Sequence, residues 1–71
     1  IKWDILKIIV NGNDKEFKES TTLLAVLEEL SLDAKVMAAA VNMNIIKQDI
    51  WDKHIMIDGD KLELLDFVGG G

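Results

Sequence analysis

The chain has 71 residues, of which 49% are hydrophobic, and a formal net charge of −5. A chain of this length makes one small domain, with apolar residues enough for a core but no room for a deep internal active site. With no cysteine there is no disulfide framework, thiolate metal site or thiol nucleophile, and the single histidine, His54, cannot build a histidine metal site alone.

Eight lysines and no arginine stand against thirteen acids. That balance argues against nucleic acid or a membrane surface as partner, since both need a concentrated basic face. No apolar run approaches the ~20 residues of a spanning helix. Asp4 and Lys7 interrupt the first apolar residues, so no signal peptide is expected. The absence of cysteine is compatible with a reducing cytoplasm, the expected location.

Residues 5–10 are rich in β-branched and aliphatic types and end at Asn11-Gly12. That dipeptide is a strong hairpin signal, because both residues tolerate positive φ. The pattern predicts a strand over 5–10 and, after the turn, a short exposed edge strand over 15–19 around Phe17. Ser20, Thr21 and Thr22 are N-cap candidates for a helix. Leu23, Val26, Leu27 and Leu30 follow at i, i+3, i+4 and i+7, one apolar stripe, with Glu28 and Glu29 off it. Ser31 stands where a glycine would be usual, so the stop is weak.

The run Val-Met-Ala-Ala-Ala-Val at 36–41 has good helix formers. It is short and bounded by turn residues, and reads as a buried strand whose small side chains let a helix approach. Ile45, Ile46 and Lys47 form a brief strand, and 48–54 a loop or helical turn carrying Trp51. Asp58-Gly59-Asp60 is a tight turn. The final strand covers 61–68, with Leu62, Leu64 and Asp66 on one face and Glu63, Leu65 and Phe67 on the other. The order β-β-α-β-(β)-β predicts an α+β, β-grasp (ubiquitin-like) fold: a mixed sheet of four to five strands crossed by one main helix. The crossover makes a later strand parallel to the first.

Several residue types invite chemistry and are assigned none. His54 has no neighbouring nucleophile to activate. Trp51 is expected to cover the edge of the core. The pairs Asp49/Asp52 and Asp58/Asp60 are read as solvated or turn-forming, without calcium-loop spacing. Their charge is suited to steering the chain toward a basic partner surface. Gly69, Gly70 and Gly71 precede no helix, so they are not a phosphate-binding loop. Taken alone, such a glycine run is more often a frayed end than a site.

The segments Ile-Ile-Val-Asn-Gly at 8–12, Thr-Leu-Leu-Ala-Val-Leu-Glu-Glu-Leu at 22–30, Ala-Val-Asn at 40–42 and Ile-Ile at 45–46 are followed by Trp51 and Asp-Gly-Asp at 58–60. With the ending Leu-Glu-Leu-Leu-Asp-Phe-Val-Gly-Gly-Gly at 62–71, they resemble in order and spacing the sulfur-carrier proteins of thiamine biosynthesis, relatives of ubiquitin. The match covers 8–71. Residues 1–7 are extra: a native extension, part of a longer first strand, or sequence added for expression. Met43 stands where that family often has glycine.

The resemblance implies a β-grasp domain over 8–68 with a flexible tail over 69–71, acting as protein cosubstrate and not as enzyme. It implies that the Gly71 carboxylate is adenylated by a ubiquitin-activating-type enzyme. The carboxylate then receives sulfur from a cysteine-desulfurase persulfide, and as a thiocarboxylate donates it to thiazole synthase. No cofactor is expected on the chain itself; ATP with magnesium belongs to the activating partner. Gly69 and Gly70 would thread the partner's channel, and Leu65, Phe67 and Val68 are candidate docking residues. Three alternatives stand beside this reading: the small subunit of molybdopterin synthase, a ubiquitin-like protein modifier, and a purely structural interaction module.

Overall fold

The computed structural model describes residues 5–66, the side chain of Asp66 excepted. It has β1 (Ile5–Val10), β2 (Asn13–Lys18), α1 (Leu23–Glu29), β3 (Val36–Val41), β4 (Asn44–Ile46), a single 3-10 turn (Gln48–Ile50) and β5 (Lys61–Asp66). The five strands form one sheet in the order β2-β1-β5-β3-β4. All ladders are antiparallel except β1–β5, which is parallel, as the crossover requires. Residues 5–7, part of the stretch without a counterpart in the family pattern, are the first half of β1.

The β1–β2 hairpin turns at Asn11 and Gly12, both at positive φ (49° and 87°). This is the geometry that matches the twist of the flanking strands. The turn is tighter than the predicted gap, so β2 begins at Asn13 instead of Lys15. Phe17 is its one buried side chain.

Thr22 caps α1, its Oγ1 accepting from Ala25 N at 3.1 Å. The next free amides are met by the loop before β5: Leu23 N donates to His54 O at 2.8 Å and Leu24 N to Trp51 O at 3.0 Å. A helix of seven residues has little stability alone, and these tertiary bonds supply what its length does not. At the other end Ser31 takes the left-handed conformation (φ 60°). Ser31 N bonds Glu28 O at 3.0 Å and Leu32 N bonds Leu27 O at 2.8 Å. The helix therefore stops by the doubly bonded C-terminal motif usually built on glycine.

The core joins Leu6, Ile8 and Val10 of β1, Leu23, Val26 and Leu27 of α1, Ala39 and Val41 of β3, and Leu62 of β5. Trp51 and Met56 close it from the loop. Trp51 is more than an edge cover: it is 2% exposed, and its Nε1 donates to Ile46 O at 2.9 Å. The alanine run is a strand, as read, but buried on one face only: Val36, Ala39 and Val41 are buried, while Met37 is exposed and Ala38 and Ala40 are half-buried. It packs through Ala39 against the sheet's other core residues, where no larger side chain is needed.

Candidate functional site: the central strand, its exit and the open face

β5 lies at the centre of the sheet and leads into the glycine tail. Phe67, Val68, Gly69, Gly70 and Gly71 lie outside the described residues. What the structure places is the strand that carries them. On one side β5 pairs with β3 along its full length, from Val41↔Leu62 to Val36↔Asp66. The register shifts between Val36 and Ala38, a bulge at Met37. The bulge explains why Val36 and Ala39, three residues apart, are both buried while Met37 is 58% exposed. On the other side β5 pairs with β1 only at Ile9↔Lys61 and Val10↔Leu62.

The alternation along β5 follows the predicted faces over the described side chains. Leu62 is fully buried and Leu64 half-buried, while Glu63 is exposed and Leu65 is 60% exposed. Leu65 lies opposite Ala38, Glu63 opposite Ala40, and Ala40 opposite Ile45. Directly paired residues share a face, so these five side chains stand together on the side away from the core. They line a shallow groove of about 260 Å³, with Ala39 and Leu64 beneath. Its small alanine floor and exposed Leu65 and Ile45 walls suit apolar side chains of another protein surface.

The rest of the open face differs. Toward β2 it carries Lys7 opposite Glu16 and Ile9 opposite Asp14. The half toward β2 is therefore the more charged and the half toward β4 the more apolar, and the more apolar half is the one beside the end of β5.

Of the residues singled out from sequence, Leu65 is placed on this exposed face. The groove's other walls were not anticipated. Their signal was present in the small residues at 38 and 40, alternating with buried 39 and 41. The four aspartates divide. Asp49 and Asp52 are exposed on the loop. Asp58 and Asp60 are turn-forming, and bind more than their own turn. Asp58 Oδ1 accepts from Lys7 N at 2.7 Å, and Asp60 is 8% exposed, accepting from Asn42 Nδ2 at 2.9 Å and Ile57 N at 2.8 Å.

Comparison with known proteins agrees with this geometry. The chain is 36% identical over 66 residues to a thiazole synthase of Paramagnetospirillum magneticum, a match covering 93% of this chain and 20% of that protein. It therefore spans a fifth of that relative's length. It is 29% identical to the sulfur carrier protein ThiS of Escherichia coli, over 93% of this chain and all of that one. Its fold is similar to a crystal structure of the thiamine biosynthesis protein ThiS from Geobacter metallireducens, with a TM-score of 0.76, 27% identity, and coverage of 93% of this chain and 100% of that one. The ThiS family model matches residues 8–71, which takes in both the sheet and the glycine tail. With order, fold and ending all matched, the chain belongs to the ThiS family.

Proposed function

We propose that this chain is a sulfur carrier of thiamine biosynthesis that holds its cargo as a thiocarboxylate on Gly71. The observation that carries this reading is the match to a sulfur carrier protein along that relative's whole length, on a fold whose central strand feeds the glycine tail. The thiazole synthase containing a similar segment supports thiazole formation, over the molybdenum-cofactor branch, as the destination of the sulfur.

The chemistry follows from the carboxylate. A free α-carboxylate has a pKa of about 3.3–3.7, is ionised at neutral pH and is a poor electrophile. Its oxygen attacks the α-phosphorus of ATP, with magnesium, on a ubiquitin-activating-type partner, and pyrophosphate leaves. The acyl adenylate is then attacked by persulfide sulfur from a cysteine desulfurase, and AMP leaves. Thiol reduction of the acyl disulfide releases the thiocarboxylate.

The chain has no thiol of its own, so the sulfur that it carries rests on its main chain. Glycine suits the channel because it has no Cβ. Five residues follow Asp66 and, extended, span up to roughly 17 Å. The groove at Leu65 is the docking surface for the partner proteins, and Phe67 and Val68, which follow it in sequence, are docking candidates with it.

Reconstitution tests the reading. Loaded chain supplied to thiazole synthase gives thiazole in proportion to carrier added. Recovery of the chain on lysines of other proteins, without thiazole, would instead identify a protein modifier.

A further inference from the structure

We infer that Asn11 is a positioning residue for the end of β5, a role that rests on the carrier reading above. In a parallel ladder the amides and carbonyls of the two strands alternate as partners. Here Ile9 N donates to Asp60 O at 3.0 Å and Asn11 N donates to Leu62 O at 2.9 Å. The next rung would run from Leu64 N to the main-chain carbonyl of Asn11. That carbonyl is unavailable, because the chain turns away at Asn11 and Gly12, both at positive φ. Instead, the side-chain carbonyl of Asn11 takes the bond: Leu64 N donates to Asn11 Oδ1 at 2.8 Å, across 53 residues of sequence.

This bond extends the β1 side of β5 by one rung after the β1 strand has ended. Beyond Leu64, the described residues of β5 are paired with β3 alone, and there across the Met37 bulge. Asn11 is thus the last group steering β5 from that side, two residues before Asp66. The turn's need for positive φ at 11 is met by asparagine and by glycine alike. The acceptor is what asparagine adds. A misdirected strand is felt when the carrier docks, before the chemical step.

The test measures pyrophosphate release by the organism's own adenylating enzyme against carrier concentration. Asn11→Gly keeps the turn and removes the acceptor. It is expected to raise KM about three- to tenfold, the range for one net hydrogen bond, with kcat unchanged and faster hydrogen exchange at Leu64 N. Asn11→Asp keeps an acceptor oxygen and tolerates the turn, and restores KM to within about twofold, a fraction of one such bond. Ile8→Val loosens the core without touching this bond and leaves KM unchanged. Wild-type KM in Asn11→Gly, a raised KM in Asn11→Asp, or an equal rise in Ile8→Val would each overturn the role. A wild-type chain that supports no pyrophosphate release defeats the carrier reading itself, and this role with it.

Discussion

Asn42 and Asp60 are bonded side chain to side chain, Nδ2 to Oδ1 at 2.9 Å, and the remaining oxygen of each holds main chain beside Asp60. Asn42 Oδ1 accepts from Lys61 N at 3.0 Å, and Asp60 Oδ2 accepts from Ile57 N at 2.8 Å. The pair ties the β3–β4 turn to the start of β5. Asp60 is the one polar or charged residue buried among those described. Asp60→Ala removes a buried group that accepts two hydrogen bonds and leaves Ile57 N without this partner. It should lower stability by about 1–3 kcal/mol, the cost of stranding a buried polar partner, measured by urea unfolding. A loss within the noise would mean that water replaces the carboxylate at no cost.

The same turn carries a strained residue. Asn42 and Met43 both have positive φ (50° and 72°), and Met43 is 88% exposed. The type of turn is therefore the one glycine would give, kept in spite of methionine because Asn42 locks it from below. A left-handed residue with a Cβ costs roughly 1–2 kcal/mol, partly offset by the greater freedom of glycine in the unfolded chain. Met43→Gly is expected to stabilise the protein by about 0.5–1 kcal/mol, and Ser31→Gly, at φ 60°, by a similar amount. Thermal unfolding of the two variants checks both; a fall in Tm for Met43→Gly would show that its side chain has a contact in the folded protein.

Much of this architecture was legible because local and tertiary preferences agree. Asn11-Gly12 specified the first hairpin, and Leu23, Val26 and Leu27 specified the buried helix face. Asp58-Gly59-Asp60 was readable as a turn. Its grip on Lys7 and Asn42 was not, because those partners are far apart in sequence and only the sheet order brings them together. The groove beside β5 was half legible. Leu65 followed from alternation along β5, whereas Ala38, Ala40 and Ile45 needed the register of three strands. Asn11 was recognisable as a turn residue, but its second use depends on the two strands being parallel and on where their ladder ends.

Leu62 and Leu65 separate folding from docking, three positions apart on one strand. Leu62 is fully buried, so Leu62→Ala should cost about 2–5 kcal/mol. Leu65 is 60% exposed beside the groove, so Leu65→Glu should change stability by less than about 0.5 kcal/mol. In the carrier reading the same change weakens loading by the adenylating enzyme at least about fivefold, as for a contact worth over 1 kcal/mol at an interface. Unfolding curves and loading kinetics on both variants make the comparison. Unimpaired loading of Leu65→Glu would remove the groove from the docking surface.

The net charge of −5 predicts a rate effect. Association with a basic partner surface should slow as salt rises and the screening length falls below about 10 Å. Stopped-flow association between low and physiological salt tests this. A flat dependence would assign docking to the apolar groove alone.

The central claim is that Gly71 is where sulfur is carried, and intact mass spectrometry addresses it most directly. The chain is co-produced with its adenylating enzyme and sulfur source, then weighed beside a variant lacking Gly71. The account predicts a mass gain of sulfur for oxygen, confined by fragmentation to Gly71, and no gain in the shortened chain. An unmodified wild-type mass with the partner enzymes shown to be active, or a sulfur gain in the variant without Gly71, would contradict it.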